Sequence, residues 1–203
     1  MSLLPVLADE AADGEVARMY AADRERVGYL PNYTQAFWTH PRVYAAWRQL
    51  VGAITSSMDM RLFEVATLGA ARALRSTYCS LAHGQILASR YLQDGELLGL
   101  LTVVDTGAER QSGVDPRDAA VVAFSAKVAR HAVDVDESDV ASLRAAGLSD
   151  EEIFGVILAV SARCFFSTVL DATGTRADAA LAGLGPALVA ALSVGRPIQP
   201  PPT

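Results

Sequence analysis

The chain is short of the residues by which many ligands are held. Lysine occurs once, at Lys127, and no basic run interrupts a net charge of −6 spread over 203 residues. Neither the electrostatic footprint of a nucleic-acid binder nor a polybasic membrane contact is therefore expected. Cysteine occurs twice, at Cys79 and Cys164, too few for a disulfide framework in a chain long enough to fold without one, and both read as free thiols. His40, His83 and His131 do not combine with the cysteines into the two tight ligand pairs of a structural zinc site, so no metal is expected. No G-x-S-x-G, P-loop or dinucleotide fingerprint is present, and no cofactor is expected. No apolar run approaches the ~18 residues of a membrane span. The start, "MSLLPVLADEAADG", lacks the basic segment and long apolar run of a signal peptide, so a cytoplasmic protein without a membrane partner is expected. Sustained period-two alternation is also missing, which argues against a sheet.

What is present is alanine- and leucine-rich sequence broken at Gly, Pro and Asp. With 51% hydrophobic and 20% charged residues the chain can bury a substantial core, and the expected fold class is all-α, one helical domain over 1–193 followed by a proline-rich tail over 194–203. A first helix is expected from Asp9 to Val27, closed by Gly28. Pro41 opens a second that sets Val43, Trp47, Leu50 and Ile54 at helical spacing. Others start at Asp59 and at Asp115–Pro116, a short one ends at Gly147, and Ser149 with Glu152 stands in capping-box register before a long apolar helix. Trp38, Trp47 and the "CFF" of 164–166 read most simply as core. The tail, "GRPIQPPPT", is expected to be extended or disordered and to bury little.

Residues 61–79 and 152–170 align with six identities: Phe63 with Phe154, Val65 with Val156, Ala71 with Ala162, Arg72 with Arg163, Ser76 with Ser167 and Thr77 with Thr168. A degenerate helical repeat is expected, its matched residues serving as scaffold. Glu64, Cys79 and His83 belong to the first copy alone and face Gly155, Leu170 and Gly174, which makes them the candidates for chemistry.

Cys79 and His83 stand four apart, on one face of a helix. Ser76 reads as that helix's N-cap, placing Cys79 at its third residue, where the positive end of the helix dipole and a protonated His83 would favour the thiolate. Glu64, in "LFEVATLGAA", is either a buried carboxyl suited to carrying protons or a partner of Arg61 at the core edge. Cys79 is either a reactive thiol or a small buried hydrophobe.

The spacing Glu64-x11-Ser76-x2-Cys79-x3-His83 resembles the E-x11-C-x2-C-x3-H signature of the alkylhydroperoxidase D-like (AhpD-like), carboxymuconolactone decarboxylase superfamily. The flanks "VGYLPNYTQAFWTHPRVYAAW", "DPRDAAVVAFSAKVAR" and "LRAAGLSDEEIFGVILAV" are similar to its peroxidase-related branch, over roughly residues 20–180. The resemblance implies an AhpD-like helical bundle that forms homo-oligomers, trimers or hexamers, without a cofactor. It implies that Cys79 is the attacking thiol, His83 and Glu64 its proton relay, and Ser76 and Tyr78 site-lining residues. Ser76 stands where the dithiol members have their first cysteine, so the disulfide cycle cannot close within the motif. Three readings follow. One is a hydroperoxide reductase whose Cys79 is resolved by an external thiol. Another is a lyase or isomerase on a small organic acid, with Arg72 or Arg75 as the cation for its carboxylate. The third is a non-catalytic oligomeric protein.

Overall fold

A computed structural model describes residues 2–108 and 111–200. Ten helices span them: α1 (Gly14–Val27), α2 (Asn32–Ala36), α3 (Pro41–Ser56), α4 (Met60–Ala73), α5 (Thr77–Arg90), α6 (Asp94–Thr106), α7 (Pro116–His131), α8 (Glu137–Ala145), α9 (Asp150–Ala172) and α10 (Pro186–Leu192), with one short 3-10 turn before α1 and two between later helices. Among the described residues there is no strand, as the missing alternation implies.

The local signals act as their chemistry predicts. Asp59 accepts from the Leu62 amide at 2.9 Å to start α4, Ser149 and Glu152 close a reciprocal capping box on α9, and Gly28 and Gly147 leave α1 and α8 with positive φ. Four expectations fail in detail. The segment after Asp9 makes only a 3-10 turn, and α1 begins at Gly14. α3 buries Tyr44 and Ile54 while Val43 and Leu50 face solvent, because the helix lies on the outside of the bundle and touches it along a narrow stripe. Of "CFF", Phe166 is core but Phe165 is exposed. α6, with its Gln93–Glu96 capping box, has no counterpart in the sequence reading.

α4 is the centre of the bundle. All ten residues from Leu62 to Ala71 are buried, and its largest packing surfaces are against α7, α5 and α9. Small side chains make that possible: a Cβ on Gly69 would lie 2.7 Å from the Val122 carbonyl oxygen of α7. α4 ends in a turn at Leu74–Ser76 in which Arg75 adopts the left-handed conformation, φ 57°, a position usually left to glycine. The amide of Ser76 bonds back to Ala71 O at 2.9 Å, and α5 departs at once. The second copy of the repeat contains no such break, since α9 runs unbroken to Ala172. Of the described helices α9 alone is long and apolar enough to cross a membrane. Here half its apolar stretch is buried in the bundle, and it packs on α4, α7 and α3.

The tail is non-helical and none of its described residues is buried, as expected, but it is tied down. Gly195 N donates to Thr77 Oγ1 at 2.8 Å, Arg196 Nη2 to Asp171 O at 2.8 Å and Gln199 N to Ala177 O at 2.8 Å, and Ile198 packs on the core. A Cβ on Gly195 would lie 2.0 Å from Arg75 O, so only glycine lets the strap close over the α4–α5 turn. The last three residues of the tail lie outside the described residues.

Candidate active site

α4 and α5 lie side by side and bring Glu64 and His83 together. Both are buried, at 3% and 8% exposure, and His83 Nδ1 is 2.6 Å from Glu64 Oε2. Thr67 Oγ1 stands 3.2 Å from the same nitrogen while its own hydroxyl is directed to the carbonyls of Phe63 and Glu64. Two acceptors therefore face Nδ1, which assigns it the proton and leaves Nε2 as the acceptor. Glu64 does not pair with Arg61, which instead binds Asp118 of α7 at 2.7 Å. Burial lowers the His83 pKa, and the charge of Arg163 adds to that, against an upward pull from Glu64. At neutral pH the ring is a neutral base with its tautomer fixed by a carboxylate.

Cys79 is the third residue of α5 and 2% exposed. No hydrogen bond joins it to His83. Its polar neighbour is a residue the sequence reading passed over as a site residue: Arg163 Nη1 donates to Cys79 Sγ at 3.5 Å. Arg163 is 5% exposed, has no carboxylate within salt-bridge distance among the described residues, and its Nε has no hydrogen-bond partner. Its guanidinium lies over the Phe166 ring, 5.6 Å from the centroid, a cation–π contact that partly offsets burial. The cations proposed for the site lie elsewhere. Arg72 binds Asp105 at 2.5 Å and the carbonyl of Ala191, and Arg75 reaches the Val194 carbonyl.

Ser76 occupies the N-cap position of α5, but its side chain accepts nothing from the helix. The hydroxyl is fully buried and without a hydrogen bond of normal geometry, turned toward the Asp171 carboxyl, which burial raises and Ser76 opposes. Tyr78 points away from the thiol. Its hydroxyl donates to Asp178 and accepts from the Tyr33 amide at 3.2 Å, while Asp178 also accepts from the Asn32 amide at 2.9 Å. Tyr78 thus fastens α2 and the segment after α9 onto the start of α5. Cys164, the next residue after Arg163, is a half-buried free thiol whose pKa burial raises.

No protein-family model and no curated protein sequence matches the chain. Solved structures do. An uncharacterized peroxidase-related protein from Ralstonia eutropha JMP134, described as an alkylhydroperoxidase AhpD core, superposes with a TM-score of 0.74 at 20% identity over 89% of this chain and 94% of that one. The fold is that of the AhpD core. An uncharacterized peroxidase-related protein from Silicibacter sp. TM1040 shares this AhpD-like bundle at TM-score 0.71 and 18% identity, over 90% of this chain and 94% of that one. So does the debrominase Bmp8 in complex with 2,3,4-tribromopyrrole, at TM-score 0.70 and 14% identity over 92% and 95%. One AhpD-like bundle thus carries more than one chemistry.

Proposed function

We propose that the protein is a thiol-dependent hydroperoxide reductase, and the observation that carries this reading is a buried thiol flanked by an unpaired guanidinium with a Glu–His pair one turn away. His83, neutral at neutral pH, takes the proton of Cys79. The two side chains are not in hydrogen-bond contact, so the transfer passes through one bridging water or the substrate's own hydroxyl. The sulfur attacks the terminal oxygen of the hydroperoxide; the S–O bond forms as the O–O bond breaks, and the leaving alkoxide takes the proton back from His83 as an alcohol. Cys79 is left as a sulfenic acid. Ser76 offers no sulfur, so an external thiol attacks Cys79, releasing water and leaving a mixed disulfide, and a second thiol frees Cys79 as the external disulfide departs. Surface cavities of about 440 Å³, beside Asp23 and Tyr44, and about 410 Å³, beside Asn32 and Thr175, do not include Cys79 or His83 among their lining residues. Such burial favours hydrogen peroxide or a small alkyl hydroperoxide.

The test is peroxide consumption driven by a dithiol such as dihydrolipoamide. Wild type and Cys164→Ser are expected to turn over and Cys79→Ser is not; equal inactivity of wild type and Cys79→Ser rejects the reading.

One observation favours a second reading, a carboxymuconolactone decarboxylase-like lyase or isomerase. Arg163 is a free buried cation of the kind a substrate carboxylate needs, beside a His83–Glu64 pair able to move a proton. That activity would survive Cys79→Ser. As for partners, we infer a homo-oligomer in the cytoplasm. Phe154, Leu158 and Phe165 form an exposed apolar stripe along α9, with exposed Leu50 and Val43 on the adjoining α3, a surface suited to a second copy of the chain. Light scattering should give a mass well above the 21.4 kDa of one chain.

A further inference from the structure

An arginine this deeply buried is almost always paired with a carboxylate. Arg163 has instead a thiol, a phenyl ring and an idle Nε–H. A hydroxyl beside it is idle as well. Arg163, Ser167 and Asp171 succeed one another at four-residue spacing and so lie on one face of α9. Arg163 meets Cys79 at one end of this row and Asp171 faces Ser76 at the other, so the register sets Ser167 between them, over the first turn of α5. Ser167 and Ser76 are both 0% exposed; the Ser167 hydroxyl has no hydrogen-bond partner, while that of Ser76 is turned to the Asp171 carboxyl. Two buried donors without acceptors, the Arg163 Nε–H and the Ser167 hydroxyl, thus lie beside the start of α5, where its own amides add positive partial charge.

We propose that Arg163 is the counter-cation of Cys79 and that, with the hydroxyl of Ser167, it forms a receptor that draws a small oxyanion against the sulfur. The oxyanion is the alkoxide that develops as the O–O bond of the neutral hydroperoxide breaks, and the sulfenate oxygen once formed. This rests on Cys79 being the reacting thiol of the preceding section, and it assigns Arg163 a positioning role that does not require peroxide turnover. The titratable groups around the sulfur are His83 of α5, Glu64 of α4, and Arg163 and Asp171 of α9.

A pair of thiol reagents alike in shape but not in charge tests it. In a Cys164→Ser background, Cys79 is alkylated with iodoacetate and with iodoacetamide and followed by mass spectrometry from pH 5 to pH 9. A free thiol in solution reacts more slowly with the anion. Cys79 is expected to reverse that preference, and Arg163→Gln to lower the iodoacetate-to-iodoacetamide ratio on the order of tenfold and to move both pH–rate profiles upward. Arg163→Lys should recover part of both effects, and Ser167→Ala should lower the ratio without moving the profile. Circular dichroism of each variant checks that the bundle is intact, and should Arg163→Gln not fold, Arg163→Lys and Ser167→Ala carry the test. A ratio no higher than that of a free thiol, a ratio and profile unchanged in the folded variants, or a native Cys79 that neither reagent reaches would overturn the receptor. A positive result without peroxide turnover keeps the receptor and removes the reductase.

Discussion

The two copies of the repeat part company just after their matched Ala–Arg pair. In the first, Ala71–Arg72, the helix stops within a turn, Arg75 bends the chain through a left-handed conformation and a new helix begins. Arg72 is carried to the rim and satisfied by Asp105. In the second, Ala162–Arg163, the helix runs on to Ala172 and the arginine stays inside the bundle without a carboxylate. The cysteines differ for the same reason. Cys79 sits in the first turn of a helix against Arg163, while Cys164 sits mid-helix where burial holds its proton on. A break in one copy makes the thiol's position, and continuity in the other delivers its cation. The expectation that matched residues are only scaffold fails at Arg163.

If the copies are not interchangeable, the largest effect comes from forcing one to resemble the other at the centre of the core. Gly69 aligns with Val160, a fully buried residue of α9. A Cβ at Gly69 would meet the Val122 carbonyl oxygen at 2.7 Å and the Ser125 Cβ at 3.0 Å, and a backbone carbonyl in α7 cannot swing aside. Gly69→Val is expected to push α4 and α7 apart and lose about 2–3 kcal/mol, measured as a lower urea midpoint. A loss below about 0.5 kcal/mol would mean that the close approach is not rigid.

A smaller effect separates the copies by pH. His83 faces Gly174, so only the first copy carries a buried base. Its pKa is lowered from 6.5; below that pH the unfolded chain binds a proton that the folded protein excludes. The native state therefore loses stability as pH falls below about 6.5, and the loss stops growing once pH passes the folded value. Asp118, Asp171 and Asp178, raised by burial, act oppositely, favouring the native state toward acid from just above the ordinary carboxylate range. The difference between wild type and His83→Gln isolates the histidine. Thermal unfolding from pH 8 to pH 5 should show wild type losing more stability than the variant, and parallel curves would deny that His83 is held neutral.

Much of this was legible in the sequence, and the parts that were not were hidden for two different reasons. Helix starts carry their caps locally, so Asp59, Pro116 and Ser149 could be read directly. Glu64, Cys79 and His83 fall within twenty residues on two adjacent helices, and their spacing alone brings them near one another. α6 was hidden because Leu98 and Val103 add apolar positions beside its buried Leu97, Leu100, Leu101 and Val104 stripe, and Gly95 and Gly99 interrupt the run, which blurs the one-sided period by which a helix is recognised. Arg163 was hidden by distance, 84 residues from the thiol it touches. A signal existed: it is the only charge between Glu152 and Asp171, and a lone charge in a long apolar helix has to be either exposed or employed.

The smallest effect lies opposite Glu64. Its counterpart Gly155 occupies the interior of α9 with ordinary helical φ, where a Cβ would meet nothing closer than Met58 at 3.8 Å. Glycine there costs the helix conformational entropy and gives no close approach in return, unlike Gly69. Gly155→Ala should therefore stabilise the protein by about 0.5–1 kcal/mol through helix propensity and a reduced unfolded-state entropy, read as a higher urea midpoint with unchanged slope. Dithiol-driven peroxide consumption should stay at the wild-type rate, because no site residue touches this position. Were the change destabilising instead, Gly155 would be needed for an approach that one chain does not contain, and the exposed Phe154 beside it would mark the face of α9 where a second copy comes close.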